Sequence, residues 1–138
     1  MDRPTLIAEL ESYFHAQAED LVAVYLFGSA ARGEMSRGSD VDLGLLFSHE
    51  PPAVLSTPAR RIEADLEAHL RRPVEAVVLN RAPVDLIHRI LRDGVLVFEA
   101  DASARVRFEV SSRREYLDLG PILELYRKAV QPPRVGKA

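Results

Sequence analysis

An unbroken apolar segment from Leu21 to Phe27 stops at Gly28 and limits what the rest of the chain can fold into. The segment is too short for a typical helix and is rich in residues that favour strands. We therefore interpret it as a strand that is buried on both faces. Such a strand predicts a layered fold in which helices pack on a sheet.

Helical and strand patterns alternate along the rest of the chain. Apolar residues at steps of three to four predict an amphipathic helix over residues 4–18. Thr57 and Pro58 are typical of a helix start, with the threonine as N-cap and the proline in the first position. A helix that opens at Pro83 is expected to end at Gly94. The other expected elements are strands at residues 41–47, 74–79 and 95–98, and a helical region from about residue 102 that is interrupted at Gly120-Pro121.

The length of the chain predicts one α/β domain. At 138 residues, two separate cores would each be marginal. We assign residues 1–130 to the domain, and we expect residues 131–138 to form a flexible tail. No apolar run approaches the ~20 residues that cross a bilayer, and the N-terminus lacks a secretory pattern. We therefore expect a cytoplasmic protein that does not bind membranes.

Composition excludes several kinds of chemistry. The chain has no cysteine, which rules out a disulfide framework, a thiolate zinc site and a cysteine nucleophile. Its net charge is −3, with 18 basic residues against 21 acidic ones, so direct binding to nucleic acid is not expected. An acidic protein can still bind a phosphorylated ligand when a divalent cation lies between its carboxylates and the phosphate.

Two aspartates follow the glycine at a spacing that favours a metal site. Asp40 and Asp42 stand at alternate positions around the start of the second strand, which points both side chains to the same face with Cα atoms about 6.5–7 Å apart. Two carboxylates this close cannot both stay charged without cost. A shared cation removes that cost, and oxygen ligands select Mg²⁺ or Mn²⁺.

The turn at Gly28 and Ser29 supplies a complementary phosphate site. Gly28 has no Cβ, so a phosphate or another backbone can approach closely. Exposed N–H groups of the turn and the Ser29 hydroxyl can hold terminal phosphate oxygens, and Arg32 can reach the same phosphates. Asp-x-Asp or Gly-Ser alone is a weak signal. The combination at this spacing predicts a pocket for a magnesium–nucleoside triphosphate.

These segments resemble a known family. The segments LFGSAARGE (residues 26–34) and SDVDL (residues 39–43) look like the signature of the DNA polymerase β-type nucleotidyltransferase superfamily, and more narrowly its minimal nucleotidyltransferase (MNT) branch. Residues 74–83 and 94–97 also resemble that branch. The resemblance implies a mixed α+β sheet of about four strands with flanking helices. It also implies an antitoxin, encoded beside a HEPN-domain ribonuclease toxin, that neutralises the toxin by transferring AMP from ATP to one of its tyrosines.

The same resemblance assigns a third carboxylate. The family uses three, of which Asp40 and Asp42 match two, and Glu75 stands where an aspartate is usual. The resemblance implies that Glu75 completes the metal site and takes a proton from the attacking hydroxyl. A glutamate is one methylene longer, so transfer can be reduced while binding remains. Two alternatives stay open: a module that neutralises its partner by contact alone, and a small-molecule nucleotidyltransferase.

The last helical region carries apolar residues that are expected to pack either on the sheet or on a partner protein. They are Tyr116, Leu117, Ile122, Leu125 and Tyr126.

Overall fold

A computed structural model of the chain describes residues 1–17, 20–34, 39–52 and 57–130. In these residues a four-stranded sheet lies between two layers of helices. The elements are α1 (Arg3–Gln17), β1 (Leu21–Phe27), β2 (Val41–Phe47), α2 (Pro58–Leu70), β3 (Val74–Val78), a 3₁₀ turn (Leu79–Arg81), α3 (Val84–Asp93), β4 (Val95–Glu99) and α4 (Ala102–Val130).

The sheet is mixed, as expected, with the strand order β3-β2-β1-β4. The β1 strand is antiparallel to both of its neighbours, β2 and β4, whereas β2 and β3 are parallel. Six of the seven residues of β1 are buried. The expectation of a central strand that ends immediately before Gly28 is therefore confirmed.

Each face of the sheet has its own apolar core. On one face α1 presents Leu6, Leu10 and Phe14, four residues apart, and α2 adds its own apolar stripe. On the other face α3 and α4 cover Tyr25 and Leu46 of the central strands. Apolar surface on both sides explains why β1 shows a continuous apolar run rather than an alternating pattern.

The predicted helix starts and ends are largely confirmed. Thr57 is the N-cap of α2, where its Oγ1 accepts a hydrogen bond of 3.2 Å from the Arg60 N–H, and Pro58 is the first helical residue. The first helix closely matches its predicted range, although Ala18 lies outside the described residues. The β3 strand ends one residue earlier than expected, because Leu79 begins the 3₁₀ turn.

Gly94 does follow the end of α3, but for a different reason from the one expected. Its φ of −80° is not left-handed, so the helix does not end in the usual glycine C-cap conformation. Instead, a Cβ at Gly94 would lie 2.5 Å from the carbonyl oxygen of Ile90 and 3.1 Å from that of Leu26. The backbone of the last turn of α3, and to a lesser degree the backbone of β1, therefore requires the glycine.

The predicted interruption of the terminal helix is wrong, because α4 runs through Gly120 and Pro121 to Val130. A proline removes one backbone donor and crowds the preceding turn, which bends or weakens a helix but does not have to end it. Leu117, Leu125 and the other large apolar residues of this half do not pack on the sheet. The strongly exposed ones are Leu117 (73%), Ile122 (61%), Leu125 (68%) and Tyr126 (66%).

Tyr116 is the exception among the apolar residues expected to pack. Its ring lies flat on that of His88 from α3, with ring centroids 3.6 Å apart and an interplanar angle of 1°. It therefore packs α4 on another helix rather than on the sheet. The proposed tail, residues 131–138, lies outside the described residues.

Candidate functional site

The predicted site forms where β1 ends and β2 begins. Phe27 is the last residue of β1 and is paired with Asp42 on β2. Gly28 follows with a φ of +76°, and a Cβ built on it would overlap Oδ2 of Asp42. A side chain at position 28 is therefore excluded twice, by the left-handed backbone and by the neighbouring carboxylate. The group that lies close to Gly28 is the Asp42 carboxylate, rather than the backbone that the sequence suggested, and approach of a phosphate stays a prediction.

The turn after Gly28 is held together by its own backbone. The Arg32 N–H donates to the Gly28 carbonyl at 3.3 Å, and the Glu34 N–H donates to the Ser29 carbonyl at 2.9 Å. Ala30 and Ala31 are buried beneath the turn. The two alanines anchor the turn in the core of the α1 and α2 face, which fixes Ser29 beside Gly28 at the sheet corner.

Arg32 lies on the surface of this turn. Its Nε donates to Oε1 of Glu34 at 2.6 Å, and both side chains are more than half exposed. Solvent screens such a pair, so it contributes little to stability and can be exchanged for another anion. The expected contact between Arg32 and a phosphate stays a prediction.

The structure brings Asp42 and Glu75 together. Asp42 is the second residue of β2 and is half-buried, and Glu75 is the second residue of β3 and is exposed. The two are register partners on parallel strands, so their side chains leave the same face of the sheet. Asp40 is exposed and immediately precedes β2.

The three carboxylates interact electrostatically. Burial raises the pKa of Asp42 above its usual value, and the negative charges of Glu75 and Asp40 raise it further. Oxygen donors with this excess of negative charge are the kind that a hard divalent cation takes. Within the described ranges, however, no group of three or more His, Asp or Glu side chains is close enough to hold a metal ion. Joint metal ligation by Asp40, Asp42 and Glu75 therefore stays a prediction.

An open cleft of about 510 Å³ lies beside Glu75, along the outer side of β3. Thr57 and Arg60 from α2 line one wall, and Arg81 from the 3₁₀ turn lines another. Sequence reasoning did not connect these residues with the site, because they meet Glu75 only when α2 packs against the edge of the sheet. The cleft gives a second molecule access to Glu75.

No helix in the described portion of the chain is long and apolar enough to span a bilayer, including the 29-residue α4.

The mixed sheet thus carries a Gly28-Ser29 turn packed against Asp42 of β2. A family profile described as polymerase beta nucleotidyltransferase matches residues 8–103, which is more than half of the chain. The chain therefore belongs to the polymerase β-type nucleotidyltransferase family.

Solved structures agree with this assignment. A structure described as that of a proposed minimal nucleotidyltransferase is 35% identical, with a TM-score of 0.56, and the match covers 69% of this chain and 95% of that one. This likeness confirms the resemblance to the minimal branch.

Two more distant likenesses concern the fold alone. One is to a chain of a toxin–antitoxin structure with AMP-PNP, with a TM-score of 0.72, 21% identity and coverage of 90% of this chain and 94% of that chain. The other is to a chain of a tri-AMPylated Shewanella oneidensis HEPN toxin in complex with its MNT antitoxin, with a TM-score of 0.68, 18% identity and coverage of 93% and 94%. No curated protein sequence matches the chain significantly.

Proposed function

We propose that the chain is a cytoplasmic antitoxin that transfers AMP from ATP to a tyrosine of a HEPN-family ribonuclease toxin and thereby neutralises it. The observation that carries the proposal is the close approach of Gly28 to Asp42, with Glu75 in register beside it. Two solved structures that share the fold are described as a toxin–antitoxin with AMP-PNP and as an AMPylated HEPN toxin with its MNT antitoxin, which supports this partner and this nucleotide.

The nucleotide binds at the turn. Backbone N–H groups that follow Gly28 and the Ser29 hydroxyl donate to oxygens of the terminal phosphates. Arg32 leaves its exposed pair with Glu34 and donates to the same phosphates, because a triphosphate carries more charge than one carboxylate. These contacts hold the leaving pyrophosphate in place.

Three carboxylates would hold the divalent cations. Asp40, Asp42 and Glu75 are the residues that would bind Mg²⁺ or Mn²⁺, and a bound cation would offset the burial and the repulsion that raise the pKa of Asp42. When bound, such ions neutralise phosphate charge and make the acceptor hydroxyl easier to deprotonate.

Glu75 takes the proton of the acceptor. Its carboxylate is exposed beside the cleft, where a tyrosine of a second protein can reach it. A phenol has a pKa of about 10, so a base near it makes the attack faster at neutral pH. The phenolic oxygen bonds to the α-phosphorus of ATP, the bond from that phosphorus to the bridging oxygen breaks, and pyrophosphate leaves. The phenolic proton passes to Glu75.

The test uses the purified chain, the HEPN-type protein encoded beside it, Mg²⁺ and ATP labelled at the α-phosphate. The label is expected on a toxin tyrosine, and the double variant D40A/D42A should transfer none. As a matched control, E9A/E11A removes two α1 carboxylates, the exposed Glu11 and Glu9, which is paired with His69 of α2, and should transfer normally. If the unmodified pair gives no labelled toxin, the proposal is wrong.

A second candidate function, neutralisation by contact alone, is favoured by one observation. Glu75 is exposed, and the three carboxylates do not form a close group among the described residues. In that case D40A/D42A would still inhibit the ribonuclease when the two proteins are mixed. Loss of inhibition in the variant would exclude this candidate.

A further inference from the structure

Glu63 on α2 is the one charged residue among those described that is buried, with 9% of its surface exposed. A buried carboxylate is costly unless hydrogen bonds and an opposite charge compensate it. Both of its oxygens have partners. Oε2 accepts from the Ala76 N–H at 2.8 Å, and Oε1 accepts from Nη1 of Arg60 at 2.5 Å.

Glu67 repeats this contact one helical turn later. Its Oε2 accepts from the Val74 N–H at 3.0 Å. Residues four apart on a helix lie on the same side, so Glu63 and Glu67 face β3 together. Among the residues that the structure describes, β3 is at one edge of the sheet, and no strand binds its outward N–H groups. Two helix carboxylates therefore take the place of a neighbouring strand.

These two hydrogen bonds bracket the candidate catalytic carboxylate. Val74 and Ala76 are the residues immediately before and after Glu75. On its other side, β3 is held by the parallel ladder to β2, in which Glu75 is the partner of Asp42. The backbone at Glu75 is thus fixed from both sides of the strand.

We infer that Glu63 and Glu67 are positioning residues that hold Glu75 at the distance from Asp42 that nucleotidyl transfer requires. The inference rests on the proposed function. A glutamate side chain has more rotatable bonds than an aspartate. If the backbone at Glu75 also moved, its carboxylate would be poorly placed for catalysis. A displacement of about 1 Å in a catalytic group can cost about a hundredfold in rate.

Kinetics of AMP transfer by the full chain test this inference. Glu63→Ala should lower kcat by about ten- to a hundredfold and leave KM for ATP within about twofold, because the phosphate turn is untouched. Glu63→Gln should recover most of kcat, since its amide oxygen can still accept from the Ala76 N–H. Asp65→Ala is the control, because it removes an α2 carboxylate that hydrogen-bonds to Tyr13 on α1 instead of to β3.

Two results would overturn the inference. One is a Glu63→Ala variant with an unchanged kcat, and the other is a Glu63→Gln variant as impaired as Glu63→Ala. If Glu63→Ala fails to fold, Glu67→Ala takes its place. It removes the hydrogen bond to Val74 while the pair between the buried Glu63 and the exposed Arg60 remains, and it should lower kcat in the same selective way.

Amide hydrogen exchange separates this inference from the proposed function. Exchange at Ala76 should be faster in Glu63→Ala than in the unmodified chain, Glu63→Gln or Asp65→Ala. If the unmodified chain transfers no AMP, the proposed function fails, and exchange at Ala76 still decides whether Glu63 fixes this strand. Unchanged exchange at Ala76 in Glu63→Ala would refute the positioning role.

Discussion

Asp42 and Glu75 occupy matching positions on the parallel strands β2 and β3, so two acidic side chains leave the same face of the sheet side by side. A fold gains nothing in stability from this arrangement, because burial and then the repulsion of the neighbouring charges disfavour the charged form of Asp42 and raise its pKa. An arrangement that costs stability is typical of a binding or catalytic site.

Gly28 and Gly33 form a matched pair of left-handed glycines in one turn, with φ of +76° and +74°. Gly28→Ala should weaken binding of Mg²⁺–ATP at least about tenfold and destabilise the chain by about 2–4 kcal/mol, from backbone strain plus overlap with Asp42. Gly33→Ala meets open space and should cost about 1 kcal/mol from strain alone, with nearly normal binding. Calorimetric titration and urea unfolding measure both, and equal losses in the two variants would contradict the role of Asp42.

The raised pKa of Asp42 predicts a pH dependence of stability. Between the ordinary value of 3.8 and the raised pKa, the folded state binds more protons at this carboxyl than the unfolded state does. The carboxyl therefore makes the free energy of unfolding fall as the pH rises through this window. Asp42→Asn should remove that fall. Above the window, without divalent cations, it should be more stable than the unmodified chain by up to about 1 kcal/mol, since solvent screens the half-exposed group.

Urea unfolding at a series of pH values, from below 3.8 to neutral, measures this difference. Below the window, where Asp42 is protonated in both states, the two proteins should converge in stability. Added Mg²⁺ should stabilise the unmodified chain more than Asp42→Asn. If the difference in free energy of unfolding between the two proteins stayed constant across the pH series, the charge of Asp42 would not be the cause of that difference.

Two tyrosine–carboxylate hydrogen bonds differ in burial and should differ in energy. The buried Tyr25 donates to Oε2 of Glu109 at 2.6 Å and ties β1 to α4, whereas Tyr13 donates to the exposed Asp65 at 2.9 Å. Tyr25→Phe should therefore cost about 1.5–3 kcal/mol, and Tyr13→Phe less than about 1 kcal/mol. Chemical denaturation measures both costs. ATP binding should persist in each variant, and a larger cost for Tyr13→Phe would reverse the expected order.

Pro121 lies inside α4 and should weaken its second half. A proline in a helix interior costs up to about 3 kcal/mol relative to alanine, because it removes a backbone donor and crowds the preceding turn. Pro121→Ala should slow amide exchange around residues 117–130 and increase helical circular dichroism. The melting temperature should change little, because Leu117, Ile122 and Leu125 are exposed rather than part of a core. Unchanged exchange in this segment would show that the proline is accommodated without cost.

Local features of the sequence predicted much of the fold. The apolar run of β1 and the Thr57-Pro58 start of α2 depend on neighbours in sequence, and both are confirmed. The continuity of α4 through Pro121 was missed. A Gly-Pro pair often ends a helix, but its presence does not show whether the residues on either side remain helical. The need for glycine at position 94 could not be predicted correctly either, since it arises from the Ile90 carbonyl at the end of α3 together with the Leu26 carbonyl of β1, which is distant in sequence.

The site was predictable only where a short sequence motif signals it. Gly28 and Asp42 were recognised from their spacing, and the structure places them in contact range. Glu63 carries no such signal, because an acidic residue on an amphipathic helix usually faces solvent. Its hydrogen bond to Ala76 exists only once α2 has docked on β3.

The hydrogen bonds between α2 and the edge strand β3 also limit how this protein can associate with other chains. A strand from another molecule could extend the sheet at β3 only by displacing the carboxylates that already occupy the Val74 and Ala76 amides. Displacement would leave the Glu63 charge without one of its partners, which makes the exchange unfavourable. This edge of the sheet is therefore protected against pairing with strands of other molecules, the step that begins many protein aggregates. A partner protein that binds at this edge would therefore contact side chains and helices rather than add a strand to the sheet.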